Sequence, residues 1–575
     1  MNDDASDAPI TGVPPGLGLA PAGSAQVPQA DDVAAWPSER NMRRIEQAPL
    51  PANVGTLLAE AAAEAPDRAA LVFFDDDVTL TYAELDRAVD RTANALSQTG
   101  IGPGTHVSVM VHTEATYPLT WLALARIGAV TQPLNYTYTS HELGYMLADS
   151  QAQFLVIAAD LLPVFEGVAE RTIAPDRVIV AGAGAAGYPH SWDDLRAGAA
   201  DRFIAGHAPG HDDLLNIQYT SGTTGMPKGA MQTHRFWLTF GRTGAAQFQD
   251  RIERLLISQP FYYVDAQWLL LMTFYMRATA YVARKQSASR FLGWVKKYRI
   301  NYCNLPEVVT KQPAQADDAR NDLAVASCYS HRRENYPAYE KRFGFLARQG
   351  FSMTEIGCGL YVPMEATAMT GTGTVGVPVA FREARVMDPD GRELPRGEVG
   401  ELCIRPKAGT PHSILTGYFN KPEATAAAFH DGGWFRTGDA ALQNAEGWFF
   451  YLGRRKDMVR RNSENISAVA VEAARRGLPA ILEAAVVPVP DDDRGDEVKA
   501  YLLLAEGMTP AACPPETVFA HCEKMLARFK IPRYLHYVTE FPRTPSLKIK
   551  KSALLAAAGD LRAGCFDRQE NRWVL

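Results

Sequence analysis

The sequence predicts an α/β protein in two parts: a large N-terminal region of layered sheets and helices, and a small C-terminal α+β domain. Three observations predict it. From residue 69 onward, short apolar runs alternate with amphipathic helical stretches, the β-α-β order of a largely parallel sheet covered by helices. Near residue 453 the charge-dense "GRRKDMVRRNSEN" interrupts this pattern and a shorter set of elements follows. Across 575 residues, 47% are hydrophobic and 21% charged, the balance of a globular enzyme with a large core.

In order along the chain, "MNDDASDAPITGVPPGLGLAPAGSAQ" is acidic and rich in proline and glycine, and residues 1–48 are expected to form a flexible tail. This start lacks the basic residues and apolar run of a signal peptide. "AALVFF" and "VTLT" read as strands around a "DDD" turn. "TYAELDRAVDRTANAL" reads as a helix opened by a Thr81/Glu84 capping box, with Leu85, Ala88, Val89 and Leu96 on one face. "HVSVMVH" is a strand, a helix follows near 114–127, and Thr139 with Glu142 caps another before the strand "QFLVIAA". The apolar stretch "TYPLTWLALARIGAV" comes nearest to a membrane span, but Arg126 interrupts it. The large domain is expected over 49–453. In the small domain, 454–575, "EAAVVPV", "VKAYLLL" and "RYLHYV" read as strands, and the helix at 515–527 packs an apolar face on their sheet.

Net charge is -7, from 58 basic and 65 acidic residues, which argues against a nucleic-acid binder. Seven cysteines with no CxxC pair suggest neither a disulfide framework nor a zinc site, and fit a reducing cytoplasm. "HAPGHDD" has a His-x3-His spacing, but its proline and glycine favour a loop over a helix that would align the rings.

The densest local signal is "YTSGTTGMPKGAMQTH" at 219–234. "DLLNIQY" before it reads as a buried strand and "HRFWLTFGR" after it as a helix, so the loop should lie near a sheet edge and a helix start. Gly222, Gly225 and Gly229 permit positive φ and close approach of another group. Consecutive amides then form an anion-binding concavity. Thr220, Ser221, Thr223 and Thr224 add hydroxyl donors and Lys228 adds charge, a combination suited to a polyphosphate. The order GTTGMPKG is not the GxxxxGK[ST] of the Walker loop.

"YTSGTTGMPKG" resembles the phosphate loop of the adenylate-forming superfamily, and "GFSMTE" (350–355), "WFRTGD" (434–439), "GRRKD" (453–457) and "PRTPSLKIKK" (542–551) follow in that family's order. The resemblance covers residues 50 to 555. It implies a small domain that moves about a hinge at Lys456, and a reaction in which ATP and Mg²⁺ activate a carboxylic acid as acyl-AMP before transfer to a thiol. It implies further that Phe351 stacks on adenine, that Thr354 holds the α-phosphate and that Glu355 ligates Mg²⁺. Asp439 would accept the ribose hydroxyls, Arg454 would lie near ribose or phosphates, and Lys548 would bridge the acyl carboxylate and the α-phosphate. A serine nucleophile at Ser352 is the competing reading of "GFSMT", but the elbow motif GxSxG has glycine where Thr354 stands.

"QPFYYVDAQW" (259–268), the 326–345 stretch, "DDRGDEVKAYLLL" and "HCEKMLARFKIPRYL" look most similar to the crotonobetaine/carnitine–CoA ligase branch, in which histidine usually stands at the position of Tyr263. Tyr262, Tyr263, Asp265 and Trp268 could cage a cationic acid, each ring contributing about 0.5–2 kcal/mol, or this aromatic run could be core packing. His331, Arg332 and Arg333 could meet a second substrate carboxylate or form a solvated face. Asn462 and Ser463 replace the glycines usual in this family, and Leu547 replaces the glycine usual before the catalytic lysine. The sequence therefore predicts an AMP-forming acid–thiol ligase using ATP, Mg²⁺ and CoA. A carrier-protein thiol as acceptor, or a degenerate nucleotide-binding protein, is the alternative. The acid and the oligomeric state, a homodimer among the options, stay open.

Overall fold

The computed structural model describes residue 28 and residues 30–184, 187–220, 227–248, 251–328, 335–454, 458–461, 464–468, 471–472, 474, 478–491, 494–526, 528–544, 548–556 and 559–574. Two mostly parallel sheets form the first part of the chain. In the first, the strand His106–Met110 lies between Val130–Pro133 and Phe154–Ala158; Leu214–Thr220 and then Lys228–Thr233 extend the side of Val130–Pro133. The second runs in the order Leu346–Arg348, Val325–Ser327, Tyr302–Asn304, Arg254–Ile257, Thr279–Val282, Ala69–Phe73 and Val78–Thr81. Every pairing in it is parallel except the last. Both predicted capping boxes are formed, at Thr81/Glu84 and Thr139/Glu142.

Helices Thr116–Ile127, His234–Gln247 and Val264–Met276 are buried along most of their length and contribute to one extended core with residues of both sheets. This is why 116–127 reads almost as apolar as a membrane span. Its one charge, Arg126, pairs with Asp86 and Asp90 on the neighbouring helix. Among the described residues no helix is long and apolar enough to cross a membrane. The second and third of these helices pack closely because Gly244 faces Trp268, where a Cβ would stand 2.5 Å from the indole nitrogen.

Burial also sets a pH dependence. His234 opens the helix His234–Gln247 with no solvent exposure, and its Nδ1 accepts from the Val54 amide at 3.2 Å. Among the described residues its Nε2 has no partner. Burial pushes the imidazole from 6.5 down to about 4. The folded chain therefore refuses a proton that the unfolded chain takes up, so this stability is present above pH 6.5 and is lost as pH falls towards 4. The loss amounts to about 3 kcal/mol. Urea unfolding of wild type and His234→Asn from pH 7.5 to 4.5 should give a shallower acid decline in the variant; parallel curves would contradict the assignment.

A third, antiparallel sheet follows, in the order Gly350–Met353, Gly357–Tyr361, Thr374–Pro378, Phe449–Arg454, Trp434–Gln443, Val399–Pro406 and Arg382–Met387. The fourth sheet is built from strands after residue 457. Its Gly495–Leu504 strand pairs antiparallel with Ile481–Asp491 and parallel with Tyr534–Val538. The helix Pro515–Met525 packs Val518, Phe519 and Cys522 on this sheet, as its apolar face predicts.

Two expectations are corrected. The tail assigned to 1–48 is helical from Ala30, with helices Ala30–Ala35 and Pro37–Gln47. The second is held by distant groups: Ser38 Oγ donates to Glu365 (2.6 Å), Glu39 accepts from Tyr361 (2.6 Å), and Glu46 accepts from the Phe381 amide (3.0 Å). The Trp36 and Trp448 rings lie 6.3 Å apart. Nothing in the local composition signals partners more than 300 residues away. The phosphate loop, moreover, does not lead into a helix. The strand Lys228–Thr233 intervenes, forming a hairpin with Leu214–Thr220, so His234 begins its helix roughly 20 Å along the strand from the loop.

Candidate active site

The two stems of the predicted phosphate loop are cross-strand partners: Thr220 lies opposite Lys228 and Tyr219 opposite Gly229. Glycine is required at 229, since a Cβ there would stand 2.5 Å from Ile217 and 3.2 Å from the Tyr219 ring. Ser221, Gly222, Thr223, Thr224 and Gly225 lie outside the described residues. The Lys228 ammonium lies 5.2 Å from the centre of the Tyr418 ring, and the Tyr418 hydroxyl donates to Glu355 Oε1 at 3.1 Å. A phosphate-loop cation, a phenol and a buried carboxylate from three separate stretches are thus aligned. Gln232, four residues beyond Lys228 on the same strand, donates to the Thr354 carbonyl at 2.6 Å and fixes the turn that carries Thr354 and Glu355.

Behind that turn lies Arg382, 2% exposed, whose partners are uncharged oxygens rather than a carboxylate. Its guanidinium donates to the Ile356 carbonyl (3.1 and 3.2 Å), to Ser413 Oγ (2.8 Å) and to the Ser413 carbonyl. Burial lowers its pKa to about 9. The Leu415 amide donates to the Glu355 carbonyl at 2.7 Å. The Thr354–Glu355 turn is therefore held from three sides. Phe351 is buried beside Tyr451, with ring centres 6.2 Å apart.

Asp439 is 2% exposed on the strand Trp434–Gln443, and its register partner across the sheet is Arg454. Two motifs separated in sequence are brought opposite one another by this hairpin. The turn before Asp439 is fixed by Glu401, which accepts from the Gly438 amide at 2.9 Å, and by Thr437, which accepts from the Asp439 amide at 3.1 Å.

Tyr262 and Tyr263 have ring centres 4.5 Å apart, and Tyr136 meets Tyr262 edge-on at 5.3 Å. Burial raises all three phenols, so they are neutral near pH 7. Buried glutamines orient this turn: Gln218 donates to the Tyr262 carbonyl and Gln267 to the Phe261 carbonyl, both at 2.8 Å. Trp268, a candidate fourth wall, belongs instead to the core, stacked on Phe240 at 5.3 Å with its indole N–H donating to the Phe240 carbonyl. Burial raises the Asp265 carboxyl, and the charge of Lys548 acts to lower it. The small-domain lysine is thus within electrostatic reach of Asp265.

Lys548 is exposed on a tight turn closed by the Thr544 amide donating to its carbonyl (2.8 Å) and by its own amide donating to Thr544 Oγ1 (3.2 Å). Lys456, His331, Arg332, Arg333, Asn462, Ser463 and Leu547 lie outside the described residues. His207 and His211 stand in a loop: His211 lies 2.8 Å from the Pro51 carbonyl and His207 3.8 Å from Asp213. Among the described residues no group of three or more ligating side chains could hold a metal by itself. Tyr418, Gln232, Gln218, Gln267 and Arg382 were not found from sequence. Gln218, Gln232 and Gln267 lie inside stretches singled out for other residues, and Tyr418 lies in the unassigned "GYFNKPEAT" at 417–425.

This architecture has relatives. The family described as AMP-binding enzyme matches residues 58–419, and the AMP-binding enzyme C-terminal domain matches 470–548. A crotonobetaine/carnitine–CoA ligase of Salmonella arizonae is 31% identical over 505 residues, 85% of this chain and 96% of the relative. The crystal structure of ATP-bound MatB from Rhodopseudomonas palustris is similar with a TM-score of 0.78 at 26% identity, covering 88% of this chain and 99% of that one. A Mycobacterium tuberculosis fatty acyl CoA synthetase is similar with a TM-score of 0.65 at 25% identity, over 88% and 98% of the two chains. With both family domains matched in order on this fold, the chain belongs to the AMP-binding enzyme family, as an AMP-forming acyl-CoA ligase.

Proposed function

We propose that the cleft between Lys228, Glu355, Asp439 and Lys548 carries out both half-reactions of this ligase. The observation that carries the assignment is the line Lys228–Tyr418–Glu355, which sets a cation and a carboxylate beside the stems of the phosphate loop. A free carboxylate resists nucleophiles because of its charge, and its oxygen is a poor leaving group. Its oxygen attacks the α-phosphorus of ATP, the bond to the β-phosphate bridge breaks, and pyrophosphate leaves. The CoA thiolate then attacks the acyl carbon, the bond to the AMP oxygen breaks, and the thioester and AMP result.

Residues 220–225 and Lys228 hold the β- and γ-phosphates, and Thr354 holds the α-phosphate. Phe351 lies against adenine, Asp439 accepts from the ribose hydroxyls, and Arg454 supports the same end. Glu355 suits Mg²⁺: it is a buried, hard carboxylate beside the triphosphate site, and when bound the ion would neutralise phosphate charge. Lys548 stabilises charge at the α-phosphate as the new bond forms. Rotation about Lys456 would withdraw it for the thiol step, dividing the chain near 453 into a large and a small domain. Tyr262, Tyr263 and Asp265 line the acid's side of the cleft, with neutral phenols as the walls.

The test is acid-dependent exchange of radiolabelled pyrophosphate into ATP, over betaines, dicarboxylates, aromatic acids and fatty acids, followed by consumption of free CoA with the best acid. Exchange with one class and CoA loss in step with AMP release is the expected result. No exchange with any class would remove the adenylation site. Exchange without CoA use would move the acceptor to a carrier-protein thiol.

A further inference from the structure

The helix Ser140–Asp149 ends on a carboxylate, the wrong charge for a helix C-terminus, where the dipole favours cations. Asp149 is nevertheless fully engaged. Its Oδ2 accepts from the Tyr219 hydroxyl at 2.7 Å and its Oδ1 from the Lys421 ammonium at 2.6 Å. One turn earlier, the Tyr145 hydroxyl donates to the Pro227 carbonyl at 2.9 Å. Tyr219 immediately precedes Thr220, and Pro227 immediately precedes Lys228. One helix thus grips the chain on both sides of the phosphate loop, at the point where Thr220 and Lys228 pair and the hairpin ends.

Lys421 connects the same helix to the other half of the site. The stretch before it lies along the outer edge of the strand Lys228–Thr233: the Phe419 amide donates to the Gly229 carbonyl (2.8 Å), and the Met231 amide to the Gly417 carbonyl (2.9 Å). Tyr418 within it faces Lys228 and bonds Glu355. The Lys421 amide donates to the Tyr418 carbonyl at 3.1 Å, closing the turn. Burial and the Asp149 carboxylate both raise the Tyr219 phenol, and Asp149 raises the Lys421 ammonium, so each donor keeps its proton at neutral pH.

We propose that the helix Ser140–Asp149 is the rigid mount of the phosphate loop, and that Tyr145 and Asp149 are positioning residues for the β- and γ-phosphates of ATP. Tyr145 fixes the stem after the loop through Pro227. Asp149 fixes the stem before it through Tyr219, and through Lys421 keeps Tyr418 in register with Lys228 and Glu355. Neither side chain touches the nucleotide. The inference rests on the assignment of the loop to those phosphates.

AMP lacks the β- and γ-phosphates, so it separates loop positioning from general damage. Equilibrium binding of ATP and of AMP is measured on the full chain for wild type, Tyr145→Phe, Asp149→Asn and Lys228→Ala. Loss of one hydrogen bond in Tyr145→Phe should weaken ATP about five-fold. Loss of the charged acceptor in Asp149→Asn should weaken it about ten-fold. AMP affinity and melting temperature should stay at wild-type values in Tyr145→Phe. Unchanged ATP affinity in both helix variants, with Lys228→Ala impaired, overturns the mount and leaves the loop assignment standing. Equal weakening of ATP and AMP in Tyr145→Phe also overturns the mount. Unchanged ATP affinity in Lys228→Ala removes the loop assignment itself, and the mount with it.

Discussion

Lys548→Ala is expected to lower acid-dependent pyrophosphate exchange by about 1000-fold while leaving ATP affinity within about two-fold of wild type. The asymmetry follows from where the lysine stands. Its side chain is exposed on a two-bond turn of the small domain, so it adds little to the ground state of the large-domain nucleotide site. Its charge reaches Asp265. In the proposed role it meets the developing negative charge between acid and α-phosphate, and that interaction exists fully only in the transition state. Loss of the ammonium also removes a charge that opposes burial at Asp265, so in the variant that carboxyl should take up its proton at higher pH. Single-turnover formation of acyl-AMP together with ATP titration checks both halves. Near-normal exchange would remove Lys548 from the reaction, and a parallel collapse of ATP affinity would make it a binding residue instead.

On the proposed ribose contact, Asp439→Asn should raise KM for ATP about 100-fold, through loss of one charge-assisted hydrogen bond and weakening of the other. At 2% exposure and opposite Arg454, the carboxylate is buried on a paired strand. Two ribose hydroxyls are two donors, and an ionised carboxylate offers only acceptors. The amide offers one acceptor and presents an N–H where an acceptor is needed. 2′,3′-Dideoxy-ATP makes the test specific. Wild type should discriminate strongly against it, and the variant far less. A variant that keeps the discrimination would show that the ribose is held elsewhere.

The sequence alone determined what depends on near neighbours. Thr81 with Glu84 and Thr139 with Glu142 begin helices because both halves of a capping box lie within one turn of chain. The apolar runs became buried strands, and the small-domain helix packed the face its spacing marks. The order of five motifs predicted the family. What only the tertiary structure decided depends on groups far apart in the chain. The strand Lys228–Thr233 needs partners on both edges, from 214–220 and 416–419, and its own six residues carry no clear alternation. The helix Pro37–Gln47 lies in a stretch that reads as tail because its hydrogen-bond partners are at Glu365, Phe381 and Lys407. Trp268 reads either as a cage wall or as core, and its packing against Gly244 decides for the core. Tyr418, Asp149 and Tyr145 belong to no chemical motif, and only folding gives them partners. Local propensity acts through bonds and turns within a few residues, while a site assembled from five distant stretches is specified by packing, which no local window contains.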